Sequence, residues 1–191
     1  MSKKMIEVRW HGRGGQGAKT AALLFAETLL ATGKYIQAFP EYGPERMGAP
    51  VQSFNRISDE IITIHSGITN PNYVVILDSS LMNSVNVTYG VDNNGKIIVN
   101  TSLNSQDIVK KLGVLTNQVC VINASKIALE TIGKDIPNTP MLGALVKVIG
   151  ALNIDDVLEN IRVKLMTKFR HKPEVIEGNL TSIKRAFDEV C

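Results

Sequence analysis

The chain has 191 residues, 44% of them hydrophobic and 20% charged, the balance of a folded globular protein and not of a disordered or fibrous one. Net charge is only +3, the basic residues are scattered and 5% of residues are aromatic, so there is neither the basic stripe nor the stacking platform of a nucleic-acid binder. The longest apolar region, residues 141–154, is interrupted by Lys147, and the charged N-terminus leads into no apolar stretch of signal length, which argues against both membrane and export.

Residues 5–10 read as a strand, residues 12–17 as a glycine cluster and residues 18–31 as a buried helix that stops at Gly33. A second short strand, residues 35–39, completes a βαβ opening and implies a parallel sheet. Two further strand-like runs, residues 51–57 and 61–65, are joined only through Ser58, Asp59 and Glu60, a joint short enough to serve nothing but an antiparallel hairpin. Residues 73–77, 96–99 and 119–122 are continuous apolar runs, the signature of strands covered on both faces. Residues 79–87 and 106–112 are expected as crossover helices, with a turn at residues 92–95.

The last third reads as helical. Ile154, Val157, Leu158, Ile161 and Leu165 fall at helical spacing, as do Ile176, Leu180, Ile183 and Phe187. Asp155 and Asp156 suit a first turn, and Pro173 marks the break before the final helix. The expected fold is a three-layer α/β/α domain over residues 1–191, with a mostly parallel sheet, one antiparallel hairpin and a helical C-terminal third. Cys120 and Cys191, one in an apolar run and one at the last position, do not resemble a secreted disulfide framework, so a reducing cytoplasm is the expected location.

The chemistry-bearing segment is Gly12-Arg13-Gly14-Gly15-Gln16-Gly17, which fits G-x-G-x-x-G between a strand and a helix. Glycines there let the backbone turn sharply and approach a ligand, and free N–H groups at a helix start attract an anion such as phosphate. A glycine turn that merely packs the helix on the sheet is the competing reading. Ala18 separates Gly17 from Lys19-Thr20, which removes the P-loop pattern, and the acid that would hold an NAD ribose is missing after the second strand, where Glu41 comes only beyond Pro40. Residues 39–50 combine three prolines with Glu41, Tyr42, Glu45 and Arg46, a stiff polar loop at the carboxyl edge of the sheet suited to recognition or subunit contact. His11, His65 and His171 are scattered, and no G-x-S-x-G elbow is present.

Residues 11–17 (HGRGGQG) and 42–50 (YGPERMGAP), followed by residues 138–144 (NTPMLGA), closely resemble the gamma subunit or domain of the pyruvate and 2-oxoacid:ferredoxin oxidoreductases. The resemblance spans essentially the whole chain. It implies an enzyme that oxidatively decarboxylates a 2-oxoacid on thiamine diphosphate, passes electrons through [4Fe-4S] clusters to ferredoxin and delivers the acyl group to coenzyme A. It also implies alpha, beta and delta partner subunits, with thiamine diphosphate between alpha and beta and the clusters in beta and delta. Two cysteines are too few for a cubane cluster, which agrees with that division of labour.

On this reading the chain holds no cofactor alone. Backbone donors of Gly14, Gly15, Gln16 and Gly17, with charge from Arg13 or Lys19, are expected to meet the phosphates of coenzyme A, and Tyr42, Glu45 and Arg46 to contact a catalytic subunit. Asp78, ending a buried strand, is expected to cap a helix or accept a hydrogen bond. The tyrosine-to-proline loop looks most like pyruvate-type members, with branched-chain, 2-oxoglutarate and indolepyruvate relatives open. A free-standing dinucleotide-binding oxidoreductase and a non-catalytic scaffold are the rivals.

Overall fold

The computed structural model describes residues 5–41 and 47–191. Six strands form one sheet: β1 (Ile6–Arg13), β2 (Tyr35–Pro40), β3 (Pro50–Ser58), β4 (Tyr73–Ile76), β5 (Lys96–Asn100) and β6 (Val119–Ile122). Their spatial order is β2-β3-β1-β4-β5-β6, with β1, β4, β5 and β6 parallel and β3 antiparallel to both of its neighbours. The expected mixed α/β sheet is therefore present. The second strand, however, does not pair with the first, because β3 lies between them.

The expected hairpin also exists but has different members. Residues 50–58 pair back onto β2 and β1, and residues 61–65 form no strand. Arg56 supplies the physical reason. Its guanidinium donates to the backbone carbonyls of Ile64, Ser66 and Gly67, so the acceptors that a ladder would use are taken by a side chain instead.

Helices α1 (Ala18–Leu29), α3 (Ala124–Ile132), α4 (Asn138–Ile149), α5 (Ile154–Lys168) and α6 (Pro173–Glu189) pack with one face of the sheet. Val8, Trp10, Val75, Leu77 and Ile98 supply the strand side of this core, and Phe25, Met141, Leu145, Ile161 and Ile183 the helix side. Helix α4 is buried along most of its length, and Gly143 allows this: a Cβ there would lie 2.0 Å from the Ile183 carbonyl oxygen on α6. The central Trp10 indole donates to Asn55 Oδ1 at 2.7 Å, and Asn55 donates to the Ala22 carbonyl at 2.8 Å, tying β1, β3 and α1 together.

The opposite face is covered by α2 (Ser105–Leu112), a short 3-10 helix (Ser79–Asn83) and irregular segments. Residues 79–87 thus form a shorter helix than expected. Behind β4 and β5 this layer is aliphatic, built from Val74, Ile76, Leu81, Ile97, Val99 and Ile108. Although the two cysteines do not resemble a secreted disulfide framework, Cys120 on β6 is bonded to Cys191, with Cα atoms 5.1 Å apart. No described helix is long and apolar enough to cross a membrane.

Candidate functional site

Chain connections leave β1 over one face of the sheet through α1, and leave β4 over the other through the 3-10 helix. The carboxyl ends of β1 and β4 therefore flank a switch point, where open α/β sheets place ligands. The glycine turn stands at the end of β1 and Asp78 just past β4.

The turn is braced from several sides. Gly14 donates to the Ala49 carbonyl at 2.9 Å, Gly48 to the Gly14 carbonyl at 3.1 Å, and Gln16 N to the Arg13 carbonyl at 3.0 Å. The Arg13 amide donates to Gln16 Oε1 at 2.8 Å. Asp78 Oδ2 then accepts from Arg13 Nε at 3.1 Å and Gln16 Nε2 at 2.9 Å, while Oδ1 caps the following 3-10 helix through Ser80 N at 2.9 Å. Burial works against the Asp78 charge, but hydrogen bonds from Ser80 and Gln16 and the nearby Arg13 outweigh it and hold the carboxyl below its ordinary value. Asp78 performs both roles considered from sequence, as cap and as acceptor.

This bracing redistributes the expected donors. Gly14 and Gln16 spend their amides inside the turn, and Arg13 spends its guanidinium on Asp78, Gly48 O and Ser80 Oγ. The amides of Gly15, Gly17, Ala18, Lys19 and Thr20 have no acceptor among the described residues. Gly15 and Gly17 have φ of 96° and 82°, a region glycine enters without the steric cost a side chain would bring. Gly15 has open space where a Cβ would stand. Helix α1 starts at Gly17 with no side-chain cap and no acid in its first turn, and Lys19 there is exposed. Together these groups make a run of open N–H donors at a positive helix end, a site for an anion.

Tyr42, Glu45 and Arg46, the expected partner contacts, lie outside the described residues. Elsewhere on β1 are charged residues that belong to no sequence motif. Arg9 is 3% exposed and donates to His11 Nε2, Val87 O and Tyr89 O at 3.1, 3.1 and 2.6 Å. Burial first, and Arg9 second, push the His11 imidazole down to about 3, so it is neutral and accepts. Arg9 also borders a cavity of about 340 Å³ shared with Glu41, Phe54 and Tyr89. In this cavity the Arg9 guanidinium is already taken up by His11 and by the carbonyls of Val87 and Tyr89, whereas the donors of the turn are open. Alternation in residues 6–13, with arginine and histidine at every second position, was the available signal for this polar face.

The strand order bears on the dinucleotide reading. A Rossmann ribose acid sits on the strand beside β1, whereas here the neighbour is the antiparallel β3. Residues 7–189 match the model of the family described as Pyruvate ferredoxin/flavodoxin oxidoreductase. The chain belongs to this family. Pyruvate synthase subunit PorC of Thermotoga maritima is 44% identical over 190 residues, covering 100% of this chain and 97% of the relative. The Pyruvate/ketoisovalerate oxidoreductases common subunit gamma of Pyrococcus furiosus is 46% identical over 185 residues, covering 97% of each. The crystal structure of the pyruvate oxidoreductase subunit PORC from Thermotoga maritima superposes with a TM-score of 0.85 at 43% identity, over 99% of this chain and 98% of that one. Within the pyruvate ferredoxin/flavodoxin oxidoreductases the chain is thus a gamma-type subunit, matching its relatives from end to end.

Proposed function

We propose that the chain serves a pyruvate:ferredoxin oxidoreductase by holding the phosphates of coenzyme A at the glycine turn. In the reaction, the bond between the carboxyl and keto carbons of pyruvate breaks with loss of CO2. Two electrons leave to ferredoxin, and the acetyl group is transferred to the thiol of coenzyme A. Thiamine diphosphate and the [4Fe-4S] clusters belong to alpha, beta and delta partners, so this subunit supplies binding and orientation. The reading rests on one observation: the unpaired amides of Gly15, Gly17, Ala18, Lys19 and Thr20 lie together at an uncapped helix start beside the sheet's switch point. Donors of this kind suit a phosphate, and Lys19 adds a mobile charge.

Pyruvate as substrate is supported by relatives named for pyruvate, one of which is a subunit common to pyruvate and ketoisovalerate enzymes. A subunit shared in that way handles what two such reactions have in common, and coenzyme A is the shared reactant in this reading. The test is Gly15→Val in the assembled oxidoreductase. The side chain would occupy open space at a φ of 96° and close the donor surface. The Michaelis constant for coenzyme A should rise about tenfold or more, the loss of one charge-assisted contact, while that for pyruvate stays put. An unchanged constant for coenzyme A would remove the proposal.

A further inference from the structure

The third sequence landmark, residues 138–144, has a position that its apolar character does not explain. Asn138 is the first residue of α4 and stands against Gly17, the residue before α1. The starts of two helices, each of 12 residues, therefore meet at the glycine turn. Neither has a side-chain cap from the residue preceding it, and neither has an acid in its first turn. Two positive helix ends side by side repel each other unless a negative group lies between or near them.

Asn138 is only 8% exposed, and the orientation of its amide is set by its neighbours. Oδ1 accepts from Thr139 N at 2.8 Å, so the oxygen faces its own helix. The Thr139 hydroxyl is in turn held by Asn179 Oδ1 at 3.1 Å, and Asn179 donates its Nδ2 to the Val175 carbonyl at 2.7 Å. With the oxygen fixed in this way, Nδ2 points at the glycine turn. A Cβ on Gly17 would come within 2.5 Å of it, so glycine at this position also makes the space the amide occupies. Asn138 Nδ2 has no hydrogen-bond acceptor among the described residues. Every fully buried side-chain nitrogen or oxygen among the described residues has a partner, so Nδ2 is the part of Asn138 that reaches solvent, where a ligand oxygen can replace water as its acceptor.

We propose that Asn138 is a binding residue of the anion site, its Nδ2 donating to a phosphate oxygen of coenzyme A alongside the amides of Gly17 and Ala18. This deepens the function proposed above and depends on it. The site is then built from two helix starts and one side-chain amide, with Thr139 and Asn179 as positioning residues behind it.

The decisive variant is Asn138→Asp in the assembled enzyme. A carboxylate keeps the shape and still accepts from Thr139 N, and a negative charge at a helix start favours the fold. A purely structural role therefore predicts an unchanged or higher melting temperature and normal kinetics. A phosphate-binding role predicts a Michaelis constant for coenzyme A raised by about tenfold or more through charge repulsion, with that for pyruvate and kcat within about twofold. Asn138→Ala, which removes the donor without adding charge, should give a smaller rise, about fivefold. Unchanged constants for coenzyme A in both variants, while Gly15→Val raises it, would overturn the role of Asn138 and leave the glycine-turn site standing. Unchanged constants in all three variants would overturn both.

Discussion

Helix starts in this molecule fall into two groups. Asn104, Asn123 and Asn153 each precede a helix, α2, α3 and α5 in turn, and each side chain accepts a backbone N–H from the first turn it caps. Helices α1, α4 and α6 begin without such a cap, at Gly17, Pro137 and Lys172, but α6 has an acid, Glu174, in its first turn and α1 and α4 have none. The starts of α1 and α4, which have neither cap nor acid, meet where Asn138 stands against Gly17. A cap satisfies the first-turn donors and closes the end to any other acceptor. Where donors are left open at two adjoining ends, as at α1 and α4, they are available to a ligand.

The strongest way to break this contrast is to spoil the contact between the two bare starts. Gly17→Ala places a Cβ in the left-handed region, at a φ of 82° and 2.5 Å from Asn138 Nδ2. The combined backbone strain and overpacking should cost about 3 kcal/mol, read as a shift in the denaturation midpoint. Placing the same change in an Asn138→Ala background removes the collision but not the strain, so the cost should fall to about 1 kcal/mol. Equal costs in the two backgrounds would show that Gly17 and Asn138 do not touch in the way described.

A middle-sized effect is expected from the brace. Asp78→Ala leaves Arg13 and Gln16 without their shared acceptor, and because both are partly exposed the loss should be about 1 kcal/mol. The pH dependence has a definite sign. The folded carboxyl lies below its ordinary value of 3.8, so the unfolded chain takes up the proton first as the solution is acidified. The stability contributed by Asp78 is full above that value and is lost as pH falls through the lower folded one. Urea denaturation of native protein and Asp78→Asn between pH 3 and pH 6 should show a steeper decline for the native chain, and parallel curves would contradict the brace. In both variants the Michaelis constant for coenzyme A should rise modestly, since the turn keeps its sequence but loses its anchor.

How much of this was readable in the residues follows the physics of each signal. The parallel strands announced themselves because β4 and β5 are buried on both faces and nearly continuously apolar, and β6 carries the same apolar run at the sheet edge. Helices α5 and α6 were legible from spacing, and the glycine turn from its place between strand and helix. The partner of β3 was not legible, because residues 61–65 have strand-like composition and the carbonyls of Ile62 and Ile64 are taken in three dimensions by the side chains of Gln37 and Arg56. Helix α3 escaped because its nine residues carry a short apolar stripe, although Asn123 before it is a recognisable cap. Which turn amides are free depends on Ala49 and Asp78, far away in sequence, so the donor set around Gly15 and Gly17 required the fold. Likewise the disulfide joins positions 71 residues apart, on an edge strand and at the chain end.

The smallest effect belongs to the capped starts, and its value lies in what stays constant. Asn153→Ala removes the acceptor for Asp155 N and Asp156 N at the start of α5 and should cost about 1 kcal/mol, the usual worth of an asparagine cap. The Michaelis constant for coenzyme A should not move, because α5 begins away from the glycine turn and its freed amides have Asp155 and Asp156 for local compensation. A change in coenzyme A binding here as large as that for Asn138→Asp would mean that any loosened helix disturbs the site. The contrast between bare and capped starts would then reflect stability alone. If only the bare-start variants alter binding, the missing caps at α1 and α4 are the chemical feature the ligand uses.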